Sequence, residues 1–201
     1  MVFDVLIIGG GVSGMQCALV LGSARNKVFA AQKNIGIIMH QRASHLENAL
    51  FNNVLGLAPK TTGKDILREG KEQLATLYSH VSQVASEKVI EIKEINGIYL
   101  IETNKGSYRS KMVVLALNYS KPFTIQGLNE FIIPHKKANP EKERIQLKND
   151  SHFIKKGLYC CGTIAGLRSQ FAIAAGSGAS VATDILTLWN DNKSTKVHDK
   201  V

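Results

Sequence analysis

No Cys-x-x-Cys pair occurs in this chain, and its three cysteines, Cys17, Cys160 and Cys161, have no metal-ligand spacing among six scattered histidines. That excludes a zinc scaffold and a disulfide framework. Acidic residues are also short: 16 Asp and Glu against 25 Lys and Arg leave a net charge of +9 and a pI near 9.5. Such a chain favours an anionic partner, whether a phosphate-bearing cofactor, nucleic acid or an acidic protein surface. Aromatics are only 6% of residues and do not interleave with the lysines as base stacking on single strands requires, so no nucleic acid is expected. The first 24 residues have no basic leader and no 18-residue apolar run, being broken by Asp4 and by glycines. Neither a signal peptide nor a membrane contact is expected, and the low cysteine count suits a reducing, cytoplasmic, soluble setting.

What is present is enough for one buried core. At 201 residues and 44% hydrophobic content, the expectation is a single domain over 1–190 and a basic tail over 191–201, frayed or disordered. Residues 3–8, FDVLII, form an apolar β-rich run, and GGGVSGMQCALVLGSAR then switches to helical spacing. KVFAA, 27–31, is expected as the second strand of a right-handed βαβ unit. Thr62 with Asp65 three residues on marks a helix start, and that helix runs toward Tyr78. KVIEIKE, GIYLIET and GSYRS read as a three-stranded antiparallel meander, followed by a buried strand at 112–117. Residues 118–156, with Pro122, Pro134, Pro140 and many lysines, are expected as a basic loop with little regular structure. GLYCC, 157–161, is another buried strand, and the last helix spans 169–189.

Gly9, Gly11 and Gly14 form G-x-G-x-x-G between the first strand and the first helix. The first glycine permits the turn, the second lets backbone approach a pyrophosphate, and the third lets helix pack on strand. The helix N-terminus, through Val12 and Ser13, offers free N–H groups to a phosphate. The motif calls for an acid at the end of the second strand to hold a ribose diol; with the strand at 27–31 that place falls to Gln32, next to Lys33. A glutamine carbonyl accepts one such bond, more weakly than a carboxylate. The plain alternative is a merely tight βα turn.

These residues together resemble the FAD-binding half of the thioredoxin reductase family, within the pyridine nucleotide-disulfide oxidoreductases. VLIIGGGVSGMQCALVL resembles the family's FAD motif, and FNNVLGL, 51–57, its segment before a Gly-capped helix. TGKDILREGKEQL resembles that helix, YRSKMVVLALN the second flavin-side strand, and GLYCCGTIAGLRSQFAIAAGSGASVATDIL the closing strand and helix. The resemblance implies an α/β, Rossmann-like FAD-binding fold: a parallel sheet with helices plus the three-stranded meander. It implies FAD as cofactor, with Gly162, Thr163, Gln170 and Phe171 lining the flavin and Asn53 approaching its ring. Gly9, Gly11, Val12, Ser13, Gly14, Gln32, Lys33, Val89 and Ala116 complete the implied cofactor-binding set.

The departures bear on function. Thr163 stands where the family has Asp, and Asn118 where Ala-Thr-Gly would end. Between the strands at 112–117 and 157–161 the family inserts an NADPH-binding domain carrying a redox Cys-x-x-Cys; here there is only the lysine-rich stretch, with no second G-x-G-x-x-G. The family reaction therefore does not carry over to this chain alone. The leading reading is a flavoprotein oxidoreductase that exchanges electrons with an external donor or a redox partner protein, the basic loop 136–148 docking an acidic partner. An exposed flavin face is also a natural homodimer surface. The alternatives are a module that keeps the fold without the cofactor and a Rossmann enzyme using NAD, which a second glycine-rich helix near the carboxyl end disfavours. Adjacent Cys160 and Cys161 invite a redox role, but in a buried strand they, like Cys17, are expected as small apolar core residues. His40, His45 and His135 are potential proton donors beside a flavin, expected as solvated loop histidines.

Overall fold

Residues 27–31 do not form the second strand. In the computed structural model, which describes residues 1–40 and 46–198, the chain leaves α1 (Val12–Ser23) through a 3₁₀ turn at Ala24–Asn26, and the N–H groups of Ala30 and Ala31 then bond back to the Lys27 carbonyl. The entry strands are β1 (Val2–Phe3) and β2 (Val5–Ile8), and the strand that returns beside β2 is β3 (Ile35–Met39). Its register is pinned at the base: Asn34 accepts the Asp4 N–H at 2.8 Å and donates its own to Asp4 Oδ2 at 2.9 Å. All residues of β2 and β3 are buried, as a parallel strand covered on both faces requires.

A two-strand clip, β4 (Leu50–Phe51) with β5 (Thr61–Thr62), leads into α2 (Gly63–Leu77). The expected capping box is present: the Thr62 hydroxyl accepts the Asp65 N–H at 3.2 Å and donates to Asp65 Oδ2 at 2.6 Å. β6 (Val81–Ala85) then pairs with β3 in parallel. The expected meander follows as β7 (Val89–Ile95), β8 (Ile98–Thr103) and β9 (Ser107–Ser110), with β1 added in parallel at its edge. β10 (Val113–Leu115) enters the main sheet beside β2, Leu115 opposite Ile8.

The stretch 118–156 has more order than a loop. It contains an antiparallel pair, β11 (Ile132–Pro134) with β12 (Ile145–Leu147), and the edge strand β13 (Phe153–Lys155). Ile125, Leu128, Ile145 and Leu147 anchor it by burial, which offsets the ordering cost that its prolines and lysines suggest. β14 (Leu158–Cys160) pairs with β10 in parallel, giving the sheet order β13-β14-β10-β2-β3-β6, and α3 (Phe171–Trp189) closes the fold.

Three layers result. On one face of the sheet, Ile7, Ile37, Val114 and Cys161 pack against α1 and α3; on the other, Leu6, Ile8 and Leu115 pack against Ile92, Ile101 and Leu147 of the meander and the hairpin. α1 and α3 lie close because Gly178 meets the Ser13 carbonyl, where a Cβ would overlap its oxygen. α3 is long and apolar enough by composition to span a membrane, but the face carrying Ser177, Gly178, Val181 and Ile185 is buried within this structure. Val197 of the tail packs, partly buried, on the helical side of the core; residues 199–201 lie outside the described residues.

Candidate functional site

The carboxyl ends of β2, β3, β10 and β14 meet at one edge, the place where open α/β sheets bind ligands. A cleft runs across it in two lobes of about 230 and 360 Å³, and Gly9, His40, Leu117 and Asn118 line both. The glycine turn thus sits at the junction. Gly9 has φ +118°, a region closed to most side chains, and its carbonyl is so close to Gly14 that a Cβ there would overlap it. Gly11, by contrast, has no heavy atom within 4 Å of a Cβ built on it and faces the larger lobe. Gly9 and Gly14 thus serve the turn and the close packing of helix on strand, and Gly11 leaves open space beside the lobe.

Two helices begin at this cleft without a side-chain cap. α1 starts after Gly11 and α3 after Gln170, and neither flanking residue makes a side-chain capping bond. The leading N–H groups of both helices are left for water or a ligand, at the positive ends of their dipoles. Gly10, Val12, Ser13, Ala116, Gly162, Thr163, Gln170 and Phe171 all line the larger lobe. Phe171 packs edge-on against Phe51, centroids 5.3 Å apart, so the lobe has an aromatic wall. Thr163 leans toward the Leu117 carbonyl at 3.4 Å.

The smaller lobe is walled by Ile8, Ile38, Val89, Phe123 and Ile125, with Glu87 and Lys88 at its side. Among the described residues Glu87 is the one carboxylate lining either lobe. It accepts from the Thr103 hydroxyl at 2.8 Å and from Tyr108 at 3.0 Å, and a carboxylate has lone pairs left for further donors.

Not every expected residue is here. Gln32 is exposed in the turn before β3, and Lys33 lies over the Trp189 ring at 5.4 Å; neither lines the cleft, because the strand they were to end is β3, which ends at Met39. Asn53 is exposed and lines neither lobe, whereas Phe51, two residues earlier, does. His40 is exposed at the end of β3 and touches both lobes. His135, expected as solvated, is buried: its Nδ1 accepts the Lys137 N–H at 3.1 Å, so Nε2 carries the proton and donates to the Thr163 carbonyl at 3.1 Å. His45 lies outside the described residues. Glu87 and Phe51 were missed, since nothing in their local sequence marks them as cleft residues; His135 lines neither lobe and meets the site only through the Thr163 carbonyl.

The cysteines are core residues, as expected. Burial pushes the Cys17 and Cys160 thiols well up and the Cys161 thiol to about 12, the last partly offset by a hydrogen bond with Ser13. All three should resist a thiol-specific disulfide reagent at neutral pH in the native protein and react at once in denaturant, which a colorimetric thiol titration checks. The sign for stability follows. The unfolded chain releases these protons first, near pH 9, so stability is flat through neutral pH and falls above it; a melting series from pH 7 to 10.5 should show the fall.

Comparison with known proteins agrees with this geometry. Residues 3–177 match the family model of the pyridine nucleotide-disulphide oxidoreductases. A thioredoxin reductase of Treponema pallidum is 22% identical over 98% of this chain and 55% of its own length, and a ferredoxin–NADP reductase of Streptococcus thermophilus is 28% identical over 57% of the chain and 34% of its own. The chain thus spans about half, or a third, of the curated relatives it matches. Among solved structures, an oxidoreductase from Agrobacterium tumefaciens aligns with a TM-score of 0.71 at 16% identity, covering 96% of this chain and all of that one. A thioredoxin reductase from Gloeobacter violaceus aligns with the same score at 13% identity, covering all of this chain and 98% of the other. With its glycine-shaped helix start, parallel sheet and meander, this chain belongs to the pyridine nucleotide-disulphide oxidoreductase family.

Proposed function

We propose that the cleft holds FAD and that the protein is an oxidoreductase exchanging electrons with an external donor or a redox partner protein. The observation that carries this is the cleft itself: two uncapped helix N-termini open into it, and the glycine turn sits between two lobes, one apolar with a carboxylate at its side, one with an aromatic wall. A ligand with a pyrophosphate between two ring systems matches that order. Bound there, a flavin supplies the redox chemistry, which the protein positions and tunes.

The chain's own residues have distinct tasks in this reading. Backbone N–H groups around Gly11 to Ser13 hold the pyrophosphate, with Gly11 leaving the approach open. Val89 and Ile125 enclose the adenine end, and Glu87 accepts from the ribose hydroxyls in place of the acid missing from the second strand. Phe51 and Phe171 keep water from one edge of the flavin ring, and the start of α3 favours negative charge next to it. His135 fixes the Thr163 backbone rather than delivering a proton.

The visible spectrum of the purified protein, taken before and after adding FAD and desalting, tests the reading. Flavin bands retained near one equivalent per chain support it; no retained flavin after saturating FAD removes it and leaves a nucleotide-free module. Glu87→Gln should keep the fold and weaken FAD binding about tenfold, the size expected from losing a charge-assisted hydrogen bond. Fluorescence titration with FAD checks this, and an unchanged affinity would remove Glu87 from the site.

A further inference from the structure

Beyond the proposed flavin end of the cleft a second groove opens, about 310 Å³, which shares Tyr119, Ser169 and Gln170 with the larger lobe. Its walls carry His135, Lys137, Lys142, Arg144 and Arg168, and no carboxylate lines it. The acids on and just after the 3₁₀ turn Pro140–Lys142 are otherwise engaged: Glu141 lies against Asn139, and Glu143 faces Lys121 at 3.8 Å. Among the described residues no carboxylate pairs with Lys137, Lys142, Arg144 or Arg168.

Arg144 is the fixed member of this set. It is half-buried, its guanidinium stands 5.0 Å from the Tyr119 ring centroid, and Nη1 donates to Ser120 Oγ at 2.7 Å. Its Nε is fully shielded from solvent and has no acceptor. A guanidinium held this way, partly stripped of water and without a counter-charge, carries a cost that a bound oxyanion relieves. His135 has both ring nitrogens engaged, and the four cationic groups line one concave groove instead of spreading over a flat face, which fits a single small anion better than the acidic face of a protein.

We propose that this groove binds the oxyanion group, phosphate or carboxylate, of a small-molecule substrate whose reacting part enters the flavin lobe past Gln170. The anion site stands on the groove alone; that its ligand is a substrate rests on the flavin reading above.

Isothermal titration of the purified, FAD-supplemented protein with inorganic pyrophosphate and, separately, succinate tests it, at about 0.15 M NaCl so that loosely held surface charge is screened. The expected result is saturable binding of at least one probe at one site per chain. Arg144→Gln and Arg168→Gln should each weaken it about tenfold, and Lys64→Gln on α2 should leave it unchanged. Arg168 is exposed, so its variant reports on binding even if Arg144→Gln fails to fold. Pyrophosphate alone identifies a phosphate site and succinate alone a carboxylate site, and either sustains the proposal. Lack of saturation by both overturns it, as does binding that survives both arginine variants, since the anion would then sit at the glycine turn. A colourless protein that still binds the probe through Arg168 loses the flavin reading and keeps the anion site; a yellow one that binds neither probe does the reverse.

Discussion

Gly14→Ala should lower the melting temperature by roughly 6–12 °C and abolish flavin retention, while Gly11→Ala, three residues away in the same motif, should leave the melting temperature within about 1 °C of the parent and weaken FAD about tenfold. The contrast follows from where each Cβ would go. At Gly14 it overlaps the Gly9 carbonyl oxygen and comes within 2.9 Å of the Ala116 Cβ, so α1 must move off the strand ends, an overpacking cost of about 3 kcal/mol. At Gly11 it meets no protein atom and stands in the open space of the larger lobe, where the proposed pyrophosphate would approach. Thermal melts and flavin retention after desalting, run on both variants, check the pair. Equal loss of stability in the two, or full flavin retention in Gly11→Ala, would sink the assignment of the turn.

Ser177→Ala should cost about 1–3 kcal/mol, far more than the same change on a surface helix. Ser177 is buried on α3, where its hydroxyl oxygen accepts the Gly162 N–H at 2.8 Å and lies 2.9 Å from His152 Nε2. Removing it leaves a buried N–H without an acceptor at the turn where β14 hands the chain to the cleft, with Gly162 at φ +74°. Flavin should therefore leave the variant faster, and urea denaturation with stopped-flow release would read both effects. Ser177→Cys, with a weaker acceptor, should fall between the two; a variant as stable as the parent would show that the Gly162 turn does not depend on α3.

Much of this was legible because local signals agreed with the fold. The glycine spacing, the Thr62–Asp65 box, the alternation of the meander and the buried LYC strand each report a local physical need, and each lies where expected. The second strand was misplaced because KVFAA and IGIIM are both short apolar runs of similar length. What separates them is tertiary: only the second has Asn34 at its foot to meet Asp4, and only there does the sheet provide partners on both sides. That shift removed Gln32 and Lys33 from the site. Lysine and proline density likewise hid the hairpin within 118–156, where Ile145 and Leu147 sit among polar neighbours and supply the anchoring burial. His135 was unreadable for a related reason, since its two partners are backbone groups, Lys137 N–H and the Thr163 carbonyl, that leave no mark on composition.

The pairing of β10 with β14 has a consequence for how such a chain tolerates change. Leu115 and Cys160 are partners across one ladder, so the excursion that begins after β10 ends beside its own starting point. The cost of closing it grows only with the logarithm of its length. The sheet thus acts as a fixed doorway: whatever passes out and back, a short hairpin or a segment several times longer, reaches the same two adjacent strands, and the cleft edge keeps its shape while the excursion is free to diversify.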